Sequence, residues 1–264
     1  MIKFIKILHD RNILLFNFGL LNLIAALVFL LLMQFYFNQE TTNFSKPLKF
    51  ALSIAIFSWT MGWYAFELKD QPSVYIYSWV AVMTLSFEIL YISFQAARGQ
   101  MSHFNTSSPF YFAMTIMMGI VAIILTLWTL YIGILFFTPA VRPLPDYYLW
   151  AIRAGIILFA LFAMEGGLMG ARFSHSVGEP QKGAAIPLLG WNTRIGDLRV
   201  AHFIGMHALQ VIPLFSWYVF KNKSATLALA CIYAILATFT FLQALQGKPF
   251  LSDPAKAVTN YNLD

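Results

Sequence analysis

The feature that most constrains this chain is a succession of long apolar segments, each able to form a membrane-spanning helix. Such a helix needs about 20 mostly apolar residues to cross the hydrocarbon core of a bilayer. The sequence offers seven segments of this kind, near residues 12–38, 48–68, 73–97, 110–138, 147–173, 200–220 and 224–246. We therefore predict an all-α integral membrane protein, in which a single bundle of about seven transmembrane helices forms one domain over residues 1–264.

The composition excludes the main soluble classes. Hydrophobic residues make up 59% of the 264 residues and charged residues only 11%, whereas a soluble domain carries roughly 25% charge. A water-soluble fold of this composition would expose far more apolar surface than monomers tolerate. A soluble enzyme, a disordered chain and a nucleic-acid-binding module are therefore excluded, and the lipid bilayer is the expected partner.

The basic start of the chain bears on its orientation. Lys3, Lys6 and Arg11 precede the first apolar segment, which is too long for the h-region of a signal peptide, about 7–15 residues. Basic residues beside the first span usually remain in the cytoplasm, although Lys and Arg counted over all the predicted loops run slightly against this orientation. We expect a cytoplasmic N-terminus and, with seven spans, a C-terminus on the outer face.

One connection is much longer than the others. Residues 174–199 contain glycines and prolines but also Ile186, Leu188, Leu189 and Trp191. Connections of this length without a helix or strand are usually functional or disordered. The apolar residues argue against disorder, so we expect this loop to fold over the helices as a cap.

Three ionisable residues are predicted to lie deep within the membrane. Arginines at the outer ends of their helices mark the boundary, and the helical rise is about 1.5 Å per residue. Glu88 is then about 15 Å deep, Glu165 about 10 Å and His207 about 12 Å, with His202 above them at about 4–5 Å. Burying such groups costs about 2.5–3.5 kcal/mol on insertion scales. We therefore interpret Glu88, Glu165 and His207 as candidate catalytic residues.

Polar side chains also recur on the outer halves of several helices, at steps of three, four or seven residues that share one helical face. This pattern predicts a water-accessible pocket that opens outwards. The candidate substrate-binding residues are Gln95, Arg98, Arg172, Arg199, Gln210 and Gln243. Two loop histidines, His103 and His175, are further candidates for the rim. A basic rim favours an anionic small molecule or a lipid headgroup as the substrate.

The ionisable groups permit more than one function. Carboxylates and imidazoles suit zinc, iron or manganese, so the candidate metal ligands are Glu88, Glu165, His202 and His207. No pair within one helix has the i, i+4 spacing of a chelating motif, so the ligands would come from separate helices. The leading hypothesis is a membrane enzyme with a transition metal or haem as its cofactor, in which the glutamates and His207 act as ligands or as acid and base.

Two alternatives stay open. An intramembrane carboxyl that takes up and releases protons is typical of proton-coupled transporters and channels, although the sequence lacks the inverted repeat common in transporters. The other alternative is a membrane sensor or an assembly subunit. Each candidate residue also has a purely structural interpretation, in which the acids and His207 bond between helices and the arginines contact lipid phosphates.

Three stretches of the sequence carry a resemblance to known proteins. They read KPLKFALS at residues 46–53, QAARG followed by SHFN within residues 95–105, and GDLRVAHF followed by HALQ within residues 196–210. They resemble segments of uncharacterised bacterial multi-pass membrane proteins, and the similarity extends over most of the chain. The resemblance implies a protein of the bacterial cytoplasmic (inner) membrane whose outward segments matter, and it implies no activity.

Overall fold

The structure, a computed structural model, describes residues 2–35, 44–178, 185–186 and 189–252. Within these ranges it contains eight α-helices and one pair of short antiparallel strands. The elements are α1 (Ile2–Arg11), α2 (Ile13–Phe35), α3 (Ser45–Ala65), α4 (Gln71–Ala97), α5 (Pro109–Leu135), α6 (Asp146–Ala171), β1 (Ser176–Val177), β2 (Gly196–Asp197), α7 (Arg199–Phe215) and α8 (Lys223–Leu245). A π-helical segment, Ser216–Phe220, continues α7.

Six of the described helices are long and apolar enough to cross a membrane: α2, α4, α5, α6, α7 with its π-helical continuation, and α8. The all-helical class is confirmed, and these six helices suit a multi-pass protein in a lipid bilayer. The helix α3 has 21 residues but is not among the six, because lysines and hydroxyl residues lower its hydropathy: Lys46, Lys49, Ser53, Ser58 and Thr60. The predicted number of about seven spans is therefore not confirmed.

The basic N-terminal segment forms a helix of its own. The helices α1 and α2 are separated at Asn12. On α1, Leu8 is buried while Phe4 is exposed on one side and stacks on Trp63 on the other, with 5.6 Å between the ring centroids. Short amphipathic helices with basic residues typically lie in the membrane–water interface. The composition of α1 therefore suits an interfacial helix placed before the first apolar helix.

The described residues fall into two compact units that divide between Arg153 and Ala154. The first unit holds α1 to α5 and the start of α6. The second unit holds the rest of α6, the strand pair, α7 and α8. The single-domain organisation expected from the sequence stays a prediction.

In the first unit, α3 packs against α1, α2 and α4. Ala51 of α3 lies in one apolar cluster with Phe18 of α2 and Ile89 of α4. A buried hydrogen bond of 3.2 Å between the Tyr77 and Thr129 hydroxyl groups joins α4 to α5. A helix that packs against three others presents less surface to lipid and so needs fewer apolar side chains, which explains the lower hydropathy of α3.

The two ends of α3 contact different connections of the first unit. At its start, Lys46 Nζ donates to Ser102 Oγ in the connection between α4 and α5. Beyond its end, Leu68 forms a β-bridge with Val141. The α3–α4 and α5–α6 connections therefore lie side by side, and the α4–α5 connection lies at the opposite end of α3.

In the second unit, α6 and α7 approach closely at a glycine. A side chain at Gly205 of α7 would collide with the Phe162 ring of α6. The G-x-x-x-G step of α6 is not such a contact: a Cβ atom at Gly166 would meet only the His202 ring, at 3.4 Å, and one at Gly170 would meet no described atom within 4 Å. The close packing thus depends on Gly205 of α7 and on Gly155 of α6, where a Cβ atom would meet Ala208 O at 3.1 Å.

Part of the long connection before α7 is described. The strands β1 and β2 pair in antiparallel register within it. The Trp191 ring meets Phe203 of α7 edge-on at 5.4 Å and Phe250 at 6.1 Å, measured between ring centroids. Residues 179–184 and 187–188, which include the predicted apolar Leu188, lie outside the described residues. Trp191 covers the face of α7 that bears Phe203.

Candidate functional site

Glu88 is the intramembrane acid of the first unit. It lies on α4, and only 8% of it is exposed. The Lys46 ammonium at the start of α3 acts electrostatically on its carboxyl group. Ionisable residues within spanning segments are costly and commonly pair with one another or line a water-filled cavity. Lys46 is therefore the charged group whose field acts on the buried Glu88 carboxyl.

The Lys46 ammonium is held by two residues of the α4–α5 connection. Its Nζ lies 2.8 Å from Ser102 Oγ and 2.9 Å from His103 Nδ1. Burial, together with the Lys46 charge, lowers the pKa of His103 to about 3. The imidazole is therefore neutral near neutral pH, and its Nδ1 accepts a hydrogen bond from Lys46. We refer to Lys46, Ser102 and His103 as the lysine cluster.

Two further polar groups on the Glu88 face of α4 are buried with unused hydrogen-bonding capacity. Gln95 is fully buried, and its Nε2 donates to Met101 O at 3.2 Å. Gln95 Oε1 and the Tyr91 hydroxyl have no hydrogen-bond partner among the described residues. Buried polar groups nearly always have a partner in the protein or in ordered water. This face of α4 is therefore suited to hold water or a polar ligand.

The boundary arginines differ in their surroundings. Arg98 directly follows α4, is exposed, and places its guanidinium over the Phe94 ring at 5.2 Å. Arg172 follows α6 and is also exposed. Arg199, at the start of α7, is instead paired with Asp197 at 2.6 Å. Arg98 and Arg172 thus face the surroundings of the protein, whereas Arg199 has a structural role within the chain.

Glu165 is the intramembrane acid of the second unit. It lies on α6 and is 8% exposed. Neither of its carboxyl oxygens has a hydrogen-bond partner in the part of the chain that the structure describes. The interpretation of Glu165 as an acid hydrogen-bonded between helices thus gains no support there. A buried polar group without a partner lowers the stability of the fold.

Two histidines on α7 share one hydrogen-bonding arrangement. His202 Nδ1 lies 2.6 Å from Phe162 O, and His207 Nδ1 lies 2.7 Å from Phe203 O. A carbonyl oxygen only accepts, so both Nδ1 atoms carry the proton and donate. In a neutral imidazole the Nε2 atom is then an acceptor or a metal ligand. The His207 ring also packs on Phe203, with 4.0 Å between the ring centroids.

A buried aspartate organises the segment before α7. The Asp197 carboxylate accepts hydrogen bonds from Arg199 Nε and Nη2 and from the backbone N–H of Asn192. His175 Nδ1 lies 3.6 Å from it. Burial alone would raise the pKa of Asp197, but the bonds from Arg199 and His175 and the Arg199 charge hold it well below its usual value. The carboxylate is therefore ionised and fixes this segment in place.

Two predicted substrate-binding residues of the second unit have other surroundings. Gln243 Nε2 donates to Pro249 O at 2.6 Å and so stabilises the turn after α8. Gln210 lies partly buried on α7, three residues after His207. Neither arrangement tests the predicted role in substrate binding, which stays a prediction.

The candidate residues are divided between the two units. Glu88, Gln95, Arg98 and His103 belong to the first unit, and the other candidates belong to the second. The predicted pocket combines acids of both units and stays a prediction. Among the described residues, no three His, Cys, Asp or Glu side chains lie close enough together to hold a metal ion. The predicted metal-ligand set therefore gains no support from this arrangement.

Sequence reasoning missed two residues that organise these sites. It did not connect Lys46 with His103, because the contact joins positions 57 residues apart. A lysine just inside an otherwise apolar segment was the available signal. It also missed Asp197, whose signal was an acid placed between Arg194 and Arg199.

Comparison with known proteins adds no assignment. The chain matches no protein-family model, no curated protein sequence and no solved structure. The function is therefore argued from the residues themselves.

Proposed function

We propose that this chain is a proton-coupled membrane transporter or channel in which Glu88 binds and releases the proton. The observation that carries the proposal is the burial of the Glu88 carboxyl within α4, where the Lys46 ammonium acts on it electrostatically. Acids within spanning helices serve as proton-binding residues in pumps and transporters. Proton binding changes the electrostatic environment of Lys46, because it neutralises the negative charge of Glu88.

The lysine cluster links the charge of Glu88 to the α4–α5 connection. Lys46 is bonded there to Ser102 and His103. Because the His103 imidazole is neutral, the negative charge of Glu88 is what attracts the ammonium towards α4. Protonation of Glu88 weakens that attraction and changes the hold of Lys46 on the connection. Proton uptake is thereby coupled to the position of this segment.

The polar face of α4 supplies a path for the proton. Tyr91 and Gln95 follow Glu88 at steps of three and four residues and so lie on the same side of the helix. Their unpartnered atoms, the Tyr91 hydroxyl and Gln95 Oε1, can bond to water. We propose that water along this face carries protons between Glu88 and the end of α4.

We further propose that α3 is a seventh span. Asn12, just before α2, donates from Nδ2 to Ser78 Oγ near the start of α4 at 2.9 Å, so α2 and α4 start at the same side. Between them, α3 returns the chain, and its 21 residues extend about 32 Å. Seven crossings with the basic N-terminus in the cytoplasm place the lysine cluster and the C-terminus outside. We propose the bacterial cytoplasmic (inner) membrane as the location, as the sequence resemblance implies.

Proton flux into liposomes tests the proposal. Purified protein is reconstituted with a trapped pH-sensitive dye, and a pH gradient is applied with potassium and valinomycin to balance charge. The wild type should dissipate the gradient faster than protein-free liposomes, and Glu88→Gln should reduce the rate to the protein-free value. Equal rates for the wild type and Glu88→Gln would overturn the proposal.

An infrared titration gives a second readout that needs no transported substrate. A carboxylic acid C=O band should respond to pH in the wild type, disappear in Glu88→Gln and persist in the matched variant Glu165→Gln. Circular dichroism and gel filtration establish that both variants fold. A pH-dependent spectrum that is the same in the wild type and in Glu88→Gln contradicts proton binding at Glu88.

One observation favours a second candidate function, a membrane enzyme that uses haem or a transition metal in the second unit. Metal-bound histidines usually donate their other ring N–H to a carbonyl or carboxylate, and His202 and His207 make this bond through Nδ1. A haem-bound form should show a Soret band that His202→Ala or His207→Ala abolishes. Protein without such a band and without stoichiometric metal rules this candidate out.

A further inference from the structure

A groove in the first unit lies where the interfacial helix meets the spanning helices. It has a volume of about 470 Å³ and opens between the α1–α2 junction and the first two turns of α4. This volume falls within the range of about 300–1,000 Å³ of ligand pockets. Its lining includes His9, Asp10, Arg11, Ile13, Gln71 and Tyr75.

The lining of the groove includes a carboxylate and a guanidinium. The Asp10 side chain is 58% exposed and bonds to His9 Nδ1 at 3.0 Å. The Arg11 guanidinium lies over the Trp63 ring at 3.7 Å and is paired with Glu67, and its hydrogen bonds to described residues leave from Nη1. A guanidinium has five N–H donors, so its other nitrogens have donors for a phosphate. The lining therefore offers an acceptor for a cation beside donors for an anion.

The lining also includes apolar, exposed side chains. Ile13 at the start of α2 is 58% exposed, and Tyr75 in the second turn of α4 is 65% exposed. Both belong to helices that are apolar enough to cross the membrane. The groove thus offers charged and apolar groups to one ligand, which matches a molecule with a charged headgroup and an acyl chain.

We propose that this groove binds a phospholipid whose headgroup carries a primary ammonium, of the phosphatidylethanolamine class. The ammonium donates to the Asp10 carboxylate, the phosphate accepts from Arg11, and an acyl chain lies along Ile13 and Tyr75. A quaternary ammonium headgroup has no N–H to donate, and a glycerol headgroup has no cation for Asp10. The site therefore selects among headgroups and does not simply attract anionic lipid.

Native mass spectrometry of the intact protein tests this selection. Protein in detergent is incubated with equal amounts of phosphatidylethanolamine, phosphatidylglycerol and phosphatidylcholine. The wild type should retain phosphatidylethanolamine preferentially, and Asp10→Asn should lower its retention about tenfold, as expected for the loss of a charge-assisted hydrogen bond. The matched variant Asp146→Asn removes an exposed aspartate outside the groove and should retain the wild-type preference.

Every other outcome contradicts the proposal. Equal retention of the three lipids by the wild type shows that the headgroup is not recognised, and preferential retention of phosphatidylglycerol shows attraction by basic residues alone. Unchanged retention by Asp10→Asn removes Asp10 from the site. Because Asp10 is exposed, its substitution does not disturb the core. The site does not depend on proton coupling at Glu88, so each proposal fails or stands by its own experiment.

Discussion

Lys46 Nζ lies 2.9 Å from His103 Nδ1, so an ammonium rests against a neutral imidazole at the start of α3. The contact links α3 to the α4–α5 connection. It also gives the stability of the protein a defined dependence on pH, because burial and the adjacent charge keep His103 unprotonated in the folded state.

The first prediction concerns this pH dependence. The pKa of His103 is about 3 in the folded protein and about 6.5 in an unfolded chain. As the pH falls below about 6.5, the unfolded chain binds a proton that the folded protein does not, so the free energy of unfolding should fall until about pH 3. Thermal unfolding at several pH values should show a shallower dependence for His103→Asn. Parallel curves for His103→Asn and the wild type would contradict the assignment.

The second prediction concerns Asp197. Asp197→Asn removes the buried partner of Arg199 and should lower the free energy of unfolding by about 3–5 kcal/mol, the usual cost of breaking a buried ion pair. Because its folded-state pKa is lowered, the stabilisation is present above the unfolded pKa and is lost as the pH falls below it. Denaturant unfolding and limited proteolysis near Asn192 measure the effect. Asp146→Asn is the exposed control, and equal stability of the two variants refutes the assigned role.

The third prediction compares two glycines. Gly205→Ala places a methyl group against the Phe162 ring and should lower the free energy of unfolding by about 1–3 kcal/mol. At Gly167 a Cβ atom meets no described atom within 4 Å, so Gly167→Ala should be neutral or stabilising by up to about 1 kcal/mol through helix propensity. Thermal unfolding of both variants is the measurement. The same loss at both positions would show that the contact with Phe162 is not the cause.

The fourth prediction tests whether α3 crosses the membrane. Cys231 is the single cysteine of the sequence, so single-cysteine variants at Lys6, Lys69 and Gln100 are made in a Cys231→Ser background. An impermeant maleimide should label positions 6 and 69 from one side of vesicles of known orientation and position 100 from the other. Labelling of positions 6 and 69 from opposite sides would show that α3 does not span.

The fifth prediction concerns Glu165. Its carboxyl oxygens have no hydrogen-bond partner in the described part of the chain. Glu165→Met replaces this buried polar group with an apolar side chain of similar length and should therefore raise the unfolding temperature. Groups that lower the stability of a protein are commonly kept because its activity needs them. A lower unfolding temperature would reveal that Glu165 has a stabilising partner.

The helices were predictable because each apolar run is long enough to span a bilayer and is bounded by Gly, Pro or charged residues. The separate helix α1 was not predicted, because its ten residues resemble a basic flank and its break depends on one residue, Asn12. The weaker apolar character of α3 reflects packing against three helices, which no pattern along a single segment records.

The candidate site was predictable only in part. The buried positions of Glu88 and Glu165 follow from their places within long helices, and the structure gives each 8% exposure. The hydrogen-bond and ion-pair partners of the site residues were not predictable. Lys46 meets His103, and Asp197 meets His175, through contacts between distant segments, and sequence spacing carries no information on such contacts. Arg199 was predicted to bind substrate but is engaged by Asp197, only two residues away.

The Asp197 carboxylate ties the segment before α7 to the first residue of that helix. It accepts bonds from the Asn192 backbone and from Arg199, so one carboxylate holds both ends of the segment 192–199. His202 lies one helical turn after Arg199 and bonds to Phe162 O on α6. A ligand or partner that binds to this segment would therefore act within one turn of the contact between α6 and α7.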